Sequence, residues 1–147
     1  RKTEHLIKKF VNERRVDRGL DRLDSDRALD ASAHEHARDM ARRGYFDHQT
    51  PEGESPSDRS KSFEYIAECN SMSYQGHKPP GSLAGELVAN WMKSPSHRSH
   101  LLATEYSLIG AGVWLDGDDA YGVLHISKEA HRVGGKRRLL SKFIPKL

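Results

Sequence analysis

Apolar residues recur at helical spacing from the start of the chain. Leu6, Ile7, Phe10 and Val11 predict an amphipathic helix from about Thr3 to Arg18, with Gly19 as its stop. A second helix is predicted after Asp24 or Ser25 as its cap, with Asp26 early in its first turn. Its stripe of Leu29, Ala33, Ala37, Met40 and Ala41 is narrow and alanine-rich, which suits close approach to another element, and Gly44 ends it. Residues 47–64 are rich in turn formers (Asp47, Pro51, Gly53, Ser55, Pro56, Ser57, Asp58), with room for a short helix from about Ser57. Tyr65 to Asn70 reads as a short strand and Tyr74 to Gly81 as a loop. Ser82 is expected to open a helix with Leu83, Leu87, Val88 and Trp91 on its core face, ending before Pro95. Ser94 to Leu102 begins a new turn or short helix, with Ser94 as cap and Pro95 in its first position. Ile109, Ala111, Val113 and Leu115 share one parity in a strand from Tyr106 to Leu115. Gly117 turns the chain into a partner strand, Tyr121 to Ile126. Gly110 and Gly112 fit a close approach or a bulge. The order of elements predicts a small sheet covered by helices.

The chain has 147 residues, 31% charged and 35% hydrophobic, which suits one domain with a thin core. No run of apolar residues is long enough to span a bilayer. No apolar signal segment leads the chain, as expected for a processed chain or an excised domain. The formal charge of +3 is unevenly placed. Arg132, Lys136, Arg137, Arg138, Lys142 and Lys146 lie in the last sixteen residues with no acid among them, so the remainder is slightly acidic. The division expected is a domain over residues 1–131 and a basic tail over 132–147. The tail mixes basic and apolar residues as a membrane-surface helix would, yet is too short to be stable alone. No aromatic platform or binding motif supports nucleic acid as a partner. Cys69 is the single cysteine, so no internal disulfide can form and stability must come from packing.

Nine histidines are the chemical feature of this composition. His34 and His36 sit two apart on a helix, so they point about 200° apart and cannot share an ion. They lack zincin spacing and read as a solvated helix face. His48, in the loop after the second helix, and His97, in the Ser94-Pro95-Ser96-His97 turn, read individually as surface or hydrogen-bonded histidines. Strand alternation puts Glu68 and Asn70 on one face and Cys69 on the other, so Cys69 packs inward and is no nucleophile.

Several segments in order carry a resemblance. They are Asn12-Glu13-Arg14-Arg15, Leu20 and Leu23, His36-Ala37-Arg38-Asp39-Met40, Phe46-Asp47-His48, Pro51-Glu52-Gly53 and Ala67-Glu68-Cys69-Asn70. Trp91-Met92-Lys93-Ser94-Pro95-Ser96-His97-Arg98 and Ile109-Gly110-Ala111-Gly112-Val113 complete the set. From about Leu6 to Ile126 the chain resembles the prokaryotic branch of the CAP superfamily, the SCP-like extracellular proteins. Their relatives include cysteine-rich secretory proteins, antigen 5 allergens and plant pathogenesis-related proteins.

The resemblance implies an α+β fold, a three-layer α-β-α sandwich around a small central antiparallel sheet, and an extracellular or cell-surface location. It also implies a cleft lined by His48, Glu68, Ser94 and His97. Ser94 stands where many eukaryotic members carry a glutamate, His100 replaces a common asparagine, and Ala67-Glu68-Cys69 replaces Gly-Glu-Asn. Two imidazoles and a carboxylate suit Zn²⁺ or another divalent metal, with His48 and His97 as ligands and a position open for water. The same groups also suit a metal-free hydrogen-bonded network. The expected function is an extracellular binding module for a small-molecule, lipid or peptide ligand. The alternative is a metal-assisted, peptidase-like hydrolase in the same cleft. Arg98, His100 and Tyr106 are further candidates for its surroundings, and Trp91 for the core.

Overall fold

The computed structural model describes residues 1–74 and 78–128. The expected tail, its proposed membrane contact and the domain boundary at 131 lie outside the described residues. So does the middle of the Tyr74–Gly81 loop.

Among the described residues, five helices and four strands follow one another as α1 (Lys2–Val16), β1 (Asp24–Ser25), α2 (Arg27–Arg43), α3 (Pro56–Arg59), β2 (Ala67–Tyr74), α4 (Pro80–Lys93), α5 (Pro95–Leu101), β3 (Leu108–Asp116) and β4 (Asp119–Ser127). The sheet order is β1-β3-β4-β2. The pairs β3–β4 and β2–β4 are antiparallel, while β1 pairs with β3 in parallel. Two residues of β1 escaped the sequence pattern because so short a strand has no period to detect. They also move the cap of α2. Asp26, not Asp24 or Ser25, is its N-cap, and its carboxylate accepts from Ala28 N (2.9 Å) and Leu29 N (3.1 Å). At the other end Gly44 adopts φ 70°, the left-handed conformation that glycine reaches without strain.

The register sets the two faces of the sheet. Cys69, Leu124 and Ala111 are aligned across three strands, as are Ala67, Ile126 and Ile109. These six residues face Ile7 and Val11 of α1 and Leu83, Leu87, Val88 and Trp91 of α4 in the main core. Glu68, His125 and Gly110 are aligned one residue on, and therefore face α2. At Gly110 a side chain would collide with the backbone of Leu29 and Asp30, and at Gly112 with that of Ala33 and His34. Close approach, not a bulge, is what these glycines permit.

β2 runs four residues beyond the expected Asn70 because β4 pairs with it as far as Asp119. α3 starts at Pro56 behind a Ser55–Asp58 capping box, and α4 starts at Pro80 rather than Ser82. Ser94 holds the N-cap position of α5 but makes no side-chain capping bond. Arg15 is 1% exposed: Nε donates to Asp21 O (2.7 Å), and Nη1 donates to Leu101 O and Ala103 O (2.8 Å each). No described helix is long and apolar enough to cross a membrane.

Candidate functional site

Glu68 is a buried carboxylate surrounded by donors. Its side chain is 1% exposed. Oε1 accepts from His48 Nδ1 (2.8 Å) and Asn70 Nδ2 (3.1 Å), and His36 Nε2 lies 3.5 Å away. Oε2 accepts from His125 Nε2 (2.7 Å) and Arg59 Nη2 (2.9 Å). Apart from Asn70, two residues along β2, each of these groups comes from a different part of the chain. His125 is opposite Glu68 in the β2–β4 ladder. His36 lies on the sheet side of α2, His48 in the loop beyond it, and Arg59 ends α3. Burial alone would push the carboxyl up, but the bonds from His125 and His48, with nearby positive charge, hold it well below the usual carboxylate range. Glu68 is thus an anion with its oxygens engaged, and it supplies no lone pair to an ion.

Glu68, with both oxygens held by protein donors, anchors the side chains around it. One expectation is corrected. His36 belongs to no solvated face: it is 1% exposed, and Nε2 donates to Asp47 O (2.8 Å). Positions 29, 33, 36, 37 and 40 form one helical stripe, so the buried place of His36 was open to detection. His34 points the other way, to Glu4 Oε2 (3.2 Å) and the ring of Trp114. Ser32, Arg59 and His125 went unnoticed in the sequence. A carboxylate on a buried strand requires cationic or donor partners, and that requirement was the signal for them.

His48 is half-exposed, and its pKa is raised first by the hydrogen bond to Glu68. With Nδ1 held there, Nε2 is the nitrogen left for other use. His97, on α5, is half-buried. Its pKa is lowered by burial first, then by positive charge on His48 and His100, so it stays neutral near pH 7. His100 is lowered in the same way, by burial and then by His48. The three imidazoles therefore lie within electrostatic reach of one another. Among the described residues, no group of three His, Cys, Asp or Glu side chains lies close enough to hold an ion.

Ser94 sits at the α4–α5 junction with Oγ 3.3 Å from Ser96 Oγ. Arg98 is exposed on α5. The His100 ring lies 6.4 Å from that of Tyr106, which shares a hydrogen bond with the half-exposed Tyr65. Trp91 is fully buried in the core. Cys69 is also buried, and burial pushes its thiol up, consistent with an inert packed cysteine.

The profile of the CAP family, described as the cysteine-rich secretory protein family, matches residues 9–127. The chain belongs to the CAP family. YkwD of Bacillus subtilis (strain 168) is 35% identical over 111 residues, 74% of this chain and 41% of that protein. An extracellular protein containing a SCP domain from Bacillus anthracis has a similar structure, with a TM-score of 0.71 and 25% identity. The match covers 86% of this chain and 40% of that one. The chain therefore spans about two fifths of each of these longer relatives. NaASP2, solved with Zn²⁺, shares the fold at a TM-score of 0.55 and 14% identity over 78% of this chain and 68% of its own. The α+β sandwich of the CAP domain is the architecture of this chain.

Proposed function

We propose that this CAP domain is an extracellular binding module that holds a divalent cation between His48 and His97. The cation leaves coordination positions for an oxygen-bearing ligand. The observation that carries this reading is the Glu68–His48 bond of 2.8 Å. A carboxylate behind one ring nitrogen fixes the tautomer, makes the other nitrogen more basic and aims it outward, as in metal sites where a carboxylate backs a histidine ligand. His97, held neutral by burial, keeps a nitrogen lone pair for the same ion. His97, already neutral, and His48, which would release its proton to an incoming cation, suit zinc, which when bound would act as a Lewis acid toward a ligand oxygen. Tyr65, 52% exposed and tied to Tyr106, offers an apolar lip for a small or lipidic ligand. The Bacillus anthracis relative is an extracellular protein, which supports the same location for this chain.

The test is a Zn²⁺ titration of the purified chain by calorimetry, beside His48→Ala and His97→Ala. We expect saturable binding by the parent and a loss of at least tenfold in each variant. Equal affinity in parent and both variants removes the shared site.

A further inference from the structure

On the α2 side of the sheet lies a pocket of about 350 Å³ whose lining includes neither His48 nor His97. It is lined by Ser32, His36, Asp39, Thr50, Arg59 and Lys61, among others. Ser32 Oγ is 2.7 Å from His125 Nδ1, and His125 Nε2 is 2.7 Å from Glu68 Oε2. The carboxylate can only accept, so Nε2 carries hydrogen. His125 is fully buried, and burial holds its pKa below the ordinary imidazole value, so Nδ1 is a bare lone pair. The single hydroxyl hydrogen of Ser32 then goes to Nδ1, with Leu29 O at 3.1 Å as its other acceptor. A hydroxyl, an imidazole and a carboxylate in this order form the relay that activates a serine. Arg59 supplies the remaining requirement. Its Nη2 is engaged by Glu68 and His48 O, while Nε and Nη1 are buried without a hydrogen-bond partner.

We infer that Ser32, His125, Glu68 and Arg59 form a serine-centred acyl-transfer site, which shares Glu68 with the proposed metal site and hydrolyses esters small enough for this pocket. Ser32 Oγ attacks the acyl carbon as its proton passes to His125 Nδ1, and the carbonyl π pair moves onto oxygen beside Arg59. Collapse expels the alcohol, which takes the proton from Nδ1, and leaves acyl-Ser32. Water then attacks the acyl carbon, giving one proton to Nδ1, which returns it to Ser32 as the acid departs. One ester and one water give one acid and one alcohol. The charged rim, with Asp39 and Lys61 beside Arg59, favours a compact polar acyl group over a long hydrocarbon chain.

The experiment treats the folded chain with a fluorophosphonate probe and a short-chain aryl ester, reading adducts by intact and peptide mass spectrometry. We expect one adduct on Ser32, absent in Ser32→Ala, and labelling about 100-fold slower in His125→Gln. Zn²⁺ binding in Ser32→Ala should match the parent, which separates this site from the cleft. No Ser32 adduct on the folded parent overturns the inference, whatever the state of the His125 variant. Undiminished labelling of a folded His125→Gln chain overturns it as well.

Discussion

Glu68 organises its surroundings because a single buried negative charge must satisfy donors from α2, α3, β4 and the His48 loop at once. Removing the charge leaves Arg59 and His125 facing a partner that cannot compensate them. Glu68→Gln should therefore cost about 3–5 kcal/mol, read by urea unfolding. The same substitution should bring the His48 pKa down toward its ordinary value of about 6.5, read by NMR titration. An unmoved His48 would mean that the 2.8 Å bond does not persist in solution. Sequence pattern pointed to His48, Glu68 and His97 through a resemblance, because those residues sit in recognisable strings. His125 and Arg59 sit in none. Their role comes from β-ladder register and from the placement of a four-residue helix, neither of which a periodicity records.

At the scale of elements, the tightest fit is between α2 and β3. Gly110 and Gly112 let the helix backbone rest almost on the strand, so the distance from α2 to Glu68 is fixed by two absent side chains. Gly112→Ala should destabilise the fold by about 3 kcal/mol, since the added methyl meets backbone that cannot rotate aside. Thermal unfolding measures this, and an unchanged midpoint would show that the helix can ride outward freely. The alanines of α2 announced this contact in the sequence, as did the paired glycines. The boundaries were less legible. β1 is two residues long, and α4 gains two residues ahead of Ser82, starting at Pro80, whose missing N–H costs nothing in a first helical turn.

For the whole molecule, acidity tests the arrangement. His36, His97, His100 and His125 are all lowered by burial, so the unfolded chain binds protons more readily between their folded values and about 6.5. Their contribution is present at neutral pH and declines as the solution is acidified through that window. His48, raised by Glu68, acts in the opposite sense: its contribution is complete below about 6.5 and lost as pH rises through its folded value. Glu68 itself, lowered in the fold, stabilises above about pH 4.3 and loses that effect as the pH falls further. With four groups against one, the urea midpoint should fall between pH 7.5 and 5.5. A midpoint that rises over this interval would refute the neutral, buried histidines described above. That helices cover a small sheet was legible in the order of the elements, whereas the three-layer sandwich was legible only through the resemblance.

Arg15 has one more effect. Its guanidinium, on the first helix, fastens the carbonyl end of α5, the short helix that carries His97. The helix that carries His97 is therefore moored by a side chain more than eighty positions upstream. A minimal version of this domain that began at α2 would keep every histidine of the site and still lose the tether that keeps one of them in place.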